Sequence, residues 1–165
     1  MGECQVNQSI KSMSADNSYT ITIPGEPVAK ARPRMTKRGH TYTPKRTVDY
    51  ERMVQTLFHA EHGSPVLEVP IMLQLDLYFG IPKSRSKAAR KRMQQGLERP
   101  CKRPDIDNCM KAVCDALNGI AYKDDSQIVA AVIQKFWADE PRAVVTIEEL
   151  DLEGNAVENA TCGTK

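Results

Sequence analysis

The residues best suited to chemistry stand in one run, Arg103-Pro104-Asp105-Ile106-Asp107-Asn108-Cys109-Met110-Lys111. Carboxylates two apart do not share a helical face, but they point to the same side of an extended segment. Pro104 favours an extended lead-in, so Asp105 and Asp107 are expected to converge where a helix begins. Backbone amides and the helix dipole stabilise negative charge there. Lys111 lies one turn beyond Asp107, and Asp115 one turn further. Asp124 and Asp125 follow at the turn after the helix. If the next strand runs back beside the helix start, one of these two completes a cluster of three carboxylates. Three oxygen ligands with open positions suit Mg²⁺ or Mn²⁺. Such a site can activate a water for phosphodiester hydrolysis and steady the leaving oxygen. Lys111 would offset charge developing in the transition state.

Each piece also has a plainer reading. Asp105 or Asp107 can serve only as a helix N-cap. Asp107 with Lys111 is an ordinary i, i+4 pair, Asp124-Asp125 can be turn residues, and Asp115 can be a surface partner. His59 and His62 form an H-x-x-H near a helix C-terminus, where imidazoles complement the dipole. No Walker A, G-x-G-x-x-G or G-x-S-x-G pattern is present. What favours hydrolysis is the conjunction of acids, lysine and adjoining basic segments.

Those basic segments are hidden by a formal net charge of only +2. Residues 1–103 carry 18 Lys or Arg against 9 Asp or Glu, whereas residues 104–165 carry 5 against 12. The excess comes from Val28 to Arg52, with eight basic residues, and Lys83 to Arg103, with nine. Basic blocks of this density point to a polyanion, most often nucleic acid. The candidates for holding a phosphate backbone are Lys30, Arg32, Arg34, Lys37, Arg38, Arg85, Lys87, Arg90, Lys91, Arg92 and Arg103.

The elements that must position these groups can be read from periodicity. Tyr19 to Ile23 alternates with β-branched residues and predicts a strand closed by Pro24-Gly25. Lys30 to Thr43 reads as an irregular basic loop, because it contains Pro33 and Gly39. A helix is expected from about Thr43-Pro44, with Tyr50, Met53, Val54, Leu57 and Phe58 on one face and His62-Gly63 at its end. Val69 to Phe79 alternates without a break and predicts a strand, with Pro70 at an edge or first position. Ser84 to Leu97 has helix-forming composition with few apolar anchors. Asp105 to Asn118 is the strongest helix: Ile106, Cys109, Met110, Val113, Cys114 and Leu117 follow helical spacing, and Gly119 suits the position after it. Strands are expected from about Gln127 to Trp137 and from Ala143 to Leu150. The order implies an α/β or α+β domain, a small mixed sheet of about four strands flanked by helices.

At 165 residues the chain fits one domain: a disordered lead over 1–18, a folded region over 19–150 and a polar tail over 151–165. The mean hydropathy of −0.47 and the absence of a long apolar run exclude a membrane-spanning helix. The polar start predicts no secretory signal. Five cysteines at 4, 101, 109, 114 and 162 include no C-x-x-C pair. They imply free thiols in a reducing, cytoplasmic compartment, with Cys109 and Cys114 in the core.

At Asp105-Ile106-Asp107-Asn108, Lys111, Asp115-Ala116-Leu117 and Asp124-Asp125-Ser126-Gln127-Ile128 the sequence resembles the RusA family of phage- and prophage-associated Holliday junction resolvases. Lys30-Ala31-Arg32-Pro33-Arg34 through Thr41-Tyr42-Thr43 resembles the basic N-terminal part of many of its members. The resemblance implies a homodimer of small mixed α/β subunits and Mg²⁺-dependent cutting of four-way DNA junctions, in the cytoplasm of a bacterial host. It places the essential, metal-holding carboxylates on Asp105, Asp107 and Asp125 and the catalytic lysine on Lys111. The other reading is a non-catalytic DNA-binding accessory protein of phage replication or recombination, its aspartates serving as caps. That protein would bind DNA with strong salt dependence and nick nothing.

Overall fold

The computed structural model describes residues 17–150 except Thr36 and Arg38, and nothing of the Arg34 side chain beyond its backbone. Residues 1–16 of the lead expected over 1–18 and the polar tail over 151–165 lie outside the described residues, and Ser18 of that lead already belongs to the first strand.

Four strands make one mixed sheet. β1 (Ser18–Pro24), β4 (Ile71–Gly80), β5 (Ile128–Ala138) and β6 (Arg142–Glu149) are arranged in the order β1-β6-β4-β5. β6 pairs antiparallel with both β1 and β4, and β5 pairs parallel with β4. A parallel pair needs a long crossover. Here the crossover carries α2 (Lys87–Gln94) and α3 (Ile106–Leu117). A longer helix, α1 (Lys45–His62), precedes β4. Three helices on a mixed sheet make an α+β fold, as the element order implied.

One face of the sheet holds the core. Ile21 and Ile23 of β1, Leu73, Leu75 and Leu77 of β4, and Ala143, Val145 and Ile147 of β6 are all buried. They form one cluster with Tyr50, Val54 and Phe58 of α1 and Cys109, Val113, Cys114 and Leu117 of α3. The alternation of β4 is therefore a burial pattern: its odd-numbered residues pack and its even-numbered residues do not. α3 is held by six buried residues on a stripe, starts after the extended Asp105 and stops before Gly119, which adopts a left-handed φ of 75° that suits glycine.

Three local expectations change. β4 begins at Ile71, two residues later than the sequence pattern suggested, and it is a central strand. Proline has no N–H to give a central ladder, so Pro70 stays just outside, where its carbonyl accepts from the Leu150 amide at 2.9 Å. The basic loop is not wholly irregular: β2 (Arg34–Met35) and β3 (Thr41–Tyr42) pair as a short antiparallel ribbon, with Gly39 at a positive φ in the connection. α2 is shorter than its composition suggested. The Ser86 hydroxyl accepts from the Ala89 amide at 3.3 Å and caps it, and only Met93 anchors it by full burial.

Candidate active site

α3 presents a polar stripe opposite its buried one. Asp107, Lys111 and Asp115 recur every four residues, so they share a helical side. They line one cleft of about 570 Å³ with Met110, Cys114, Asp125 and the first four residues of β5, Ile128 to Ala131. The helix thus forms one wall, the start of β5 the floor, and the 3₁₀ turn Asp125–Gln127 the far lip. The parallel pairing of β5 with β4 brings that turn back beside α3, across the link from Asn118 to Lys123.

The turn is tied down by Gln127. Its side-chain amide donates to the carbonyls of Leu67 at 2.9 Å and Val69 at 3.0 Å, and its Oε1 accepts from the Asp124 amide at 3.0 Å. Asp124 and Asp125 are both exposed and hydrogen-bond to each other. The Ser126 hydroxyl, donating to Asp124 at 3.0 Å, and then Asp125 hold the Asp124 carboxyl below the usual carboxylate range. Asp125 moves the other way. Its hydrogen bond with Asp124 raises it most, the charges of Asp124 and Asp115 add to the rise, and Lys111 opposes it. Lys111 is therefore the cation that faces Asp125, and the carboxylates repel one another across the cleft.

Asp105 and Asp107 do not converge through an extended segment. Asp105 alone is extended, at φ −72° and ψ 144°, while Asp107 already lies in the first helical turn. Two helical steps turn a side chain well away from its neighbour, so Asp107 faces the cleft and Asp105 sits at the mouth of the helix, outside the lining. Asp105 makes no side-chain cap, which removes the plainest reading of it; its carbonyl accepts from the Cys109 amide at 3.2 Å. The structure brings Asp107, Asp125 and Lys111 together and adds Asp115. Among the described residues no three His, Cys, Asp or Glu side chains stand close enough to enclose a metal ion. In kind, the donor set fits a hard divalent cation: it is all carboxylate oxygen, and such a cation would offset the carboxylate charges that, after the hydrogen bond with Asp124, add to the rise of Asp125.

Asp115 has a second engagement. It pairs at 2.9 Å with Lys30, which also pairs with Glu51 of α1. Burial would lower the Lys30 ammonium, but hydrogen bonds to Glu51 and Asp115 outweigh it and hold its pKa above the usual value. Lys30, a candidate for the nucleic-acid surface, has its charge met twice by carboxylates and so links α1 to α3. Arg85 is likewise paired, with Glu98 at 2.6 Å, and Arg90 lies 4.0 Å from Asp139. Arg32, Lys37, Lys87, Lys91, Arg92 and Arg103 are exposed and join no ion pair among the described residues. Arg38 and the side chain of Arg34 lie outside the described residues.

Of the remaining candidates, Cys109, Cys114, His59 and His62 are structural. Cys109 and Cys114 are buried free thiols, and Cys101 is an exposed one. Burial pushes both buried thiols up to about 11, so neither is a nucleophile near neutral pH. His59 meets the Ser64 hydroxyl at 3.1 Å and His62 the Thr20 carbonyl at 3.0 Å, so the H-x-x-H binds the helix end to its surroundings.

Two groups near the site escaped the sequence reading. Lys135 donates to the carbonyls of Lys102 at 2.6 Å and Pro104 at 3.0 Å, directly before Asp105. Arg99 lies over the Phe136 ring at 3.9 Å and donates to the Lys135 carbonyl at 3.0 Å. The signal for Lys135 was present: Ile133, Lys135 and Trp137 alternate on one side of β5, so a charge stands in an apolar row.

The model of the family described as Endodeoxyribonuclease RusA matches residues 24–148 of the chain. The chain is also 37% identical over 135 residues to the uncharacterized protein YqaN of Bacillus subtilis (strain 168), a match that spans 79% of this chain and 95% of that protein.

Proposed function

The chain belongs to the RusA endodeoxyribonuclease family, and from that premise we propose that it is a Mg²⁺-dependent enzyme that resolves four-way DNA junctions by phosphodiester hydrolysis. The observation that carries the reading is the single cleft lined by Asp107, Asp125 and Lys111. Mn²⁺ is the natural substitute ion.

Asp107 and Asp125 would hold the ion from opposite sides of the cleft, with Asp105 adding a carboxylate from the helix mouth. When bound, a divalent ion supplies Lewis acidity for activating water and for steadying the leaving oxygen. Lys111 lines the same cleft as Asp125 and would offset negative charge that grows on the phosphoryl oxygens. Asp115 shares the cleft, and its pairing with Lys30 keeps it oriented and partly neutralised. The exposed cations Arg32, Lys37, Lys87, Lys91, Arg92 and Arg103 would take backbone phosphates. Cleavage of a two-fold symmetric junction calls for two such sites, hence a homodimer. The free thiols fit a reducing compartment, in keeping with work on DNA in the cytoplasm of a bacterium carrying the gene on a phage or prophage.

The deciding experiment compares a synthetic four-way junction with a matched linear duplex, each with and without Mg²⁺. Metal-dependent symmetric nicking of the junction alone is expected. Equal cutting of the linear duplex reduces the protein to a general endonuclease. Salt-sensitive binding with no cutting under any metal leaves only the accessory DNA-binding reading.

A further inference from the structure

We propose that Lys135 is a positioning residue for Asp105: it straps residues 99–104 across β5 and so fixes the backbone from which Asp105 projects. The consequence for metal binding rests on the nuclease reading above; the geometry does not.

Asp107 needs no such help, because the six buried residues of α3 hold its helix. Asp105 stands just before the helix, is exposed, and makes no side-chain cap. Its place is therefore set by the backbone that precedes it. That backbone is fastened at Lys135. The ammonium donates to the carbonyl of Lys102 at 2.6 Å and to that of Pro104, the residue next to Asp105, at 3.0 Å. Hydrogen bonds from a charged donor are the stronger kind. The Lys135 carbonyl accepts from Arg99 at 3.0 Å. Two cation–ring contacts hold the same strap to β5: Arg99 over Phe136 at 3.9 Å, and Lys102 over Trp137 at 5.0 Å.

The placing of Lys135 is otherwise unfavourable. It lies opposite Leu77 in the register of β4 and β5, half-buried, with its ammonium 5.3 Å from the centre of the Phe79 ring. Among the described residues it forms no ion pair with a carboxylate. A partly desolvated cation is costly unless hydrogen-bonded, and its hydrogen bonds go to the two carbonyls that lead into Asp105. Charge balance alone would favour a carboxylate partner; holding a loop favours carbonyls.

Lys135→Met keeps the length and removes the donors, and Lys135→Arg keeps charge and donors. Both are made in the full chain. Backbone amide exchange is read by mass spectrometry, and Mg²⁺ binding by calorimetry. In Lys135→Met, exchange over residues 102–109 is expected to quicken about tenfold or more, with the rest of the sheet and α1 unchanged. Mg²⁺ binding is expected to weaken about tenfold to a hundredfold, the usual effect of losing an outer supporting group. The sign is diagnostic, because removing a nearby positive charge would by itself tighten cation binding. Lys135→Arg is expected to restore most of both. Unchanged exchange at 102–109 in Lys135→Met overturns the proposal. So does faster exchange with Mg²⁺ binding unchanged or tighter. If the wild-type chain neither binds Mg²⁺ nor cuts a junction, the nuclease reading falls, and the exchange result alone then decides the role of Lys135.

Discussion

α2 and α3 both lie between β4 and β5, yet they are built on opposite plans. α3 buries six of its twelve residues and keeps Asp107, Lys111 and Asp115 on its open stripe. α2 buries one residue of eight and carries Lys87, Arg90, Lys91 and Arg92 around it. A group that meets a reacting phosphate must be fixed to a fraction of an ångström. Cations that hold a phosphate backbone need density of charge rather than fixed geometry. The buried stripe of α3 suits a rigid mount, and the sparse anchoring of α2 suits the proposed role of holding a phosphate backbone.

The strongest way to break this contrast is Asp107→Asn. It removes a charge from the rigid mount without disturbing the buried stripe. Cleavage of a four-way junction is expected to fall by at least about a hundredfold, with junction binding in the absence of cleavage retained. A mutant that cuts as well as wild type would move the chemistry away from α3.

The next effect is on stability. Leu117→Ala empties a fully buried site in the central cluster and is expected to cost about 2–5 kcal/mol in a urea titration. Met93→Ala empties a site that is also 1% exposed but lies outside that cluster. Its loss is expected to be smaller in global unfolding and to appear mainly as faster amide exchange within α2. Equal global costs for the two would mean that α2 is as firmly mounted as α3.

Smaller still is the change from replacing Lys87, Lys91 and Arg92 together by Ala. Turnover at saturating junction is expected to stay near wild type, while affinity falls. The slope of log affinity against log salt should shrink by roughly 0.9 for each phosphate contact removed. An unchanged slope takes this helix off the DNA surface.

The two helices also differed in how legible they were. Burial writes periodicity into a sequence, so the stripe of α3 and the alternation of β4 could be read directly, and with them the mixed sheet. α2 left only its composition, and its ends came from a serine cap and Gln95-Gly96 that composition does not register. Asp107, Asp125 and Lys111 were legible as a set because a helix and the turn after it are close in sequence. The ties that orient them were not. Lys30 to Asp115, Gln127 to Leu67 and Val69, and Lys135 to Lys102 and Pro104 all join distant segments. The pairing of two remote residues leaves no local spacing to detect. The convergence expected for Asp105 and Asp107 failed for a related reason: the helix starts at Ile106, two residues too early for both acids to lie on extended backbone.

The subtlest test lies in the turn opposite α3. The Asp125 carboxyl is held above the usual range, first by its hydrogen bond with Asp124 and then by the charges of Asp124 and Asp115. If cleavage requires the Asp125 carboxylate, activity rises with pH as that group loses its proton, and the acid limb lies higher than an ordinary aspartate would place it. Asp124→Asn removes the largest raising influence, and its amide can donate to the Asp125 carboxylate. The Asn oxygen can still accept from the Ser126 hydroxyl, so the turn is expected to survive. The acid limb of kcat/KM, measured at fixed subsaturating Mg²⁺ where proton and metal compete for Asp125, should therefore move to lower pH with the plateau rate little changed. A limb that stays put would show that Asp125 is not the titrating group. A collapse of the plateau would make Asp124 itself part of the machinery, and the rigid mount opposite it would then face two working carboxylates instead of one.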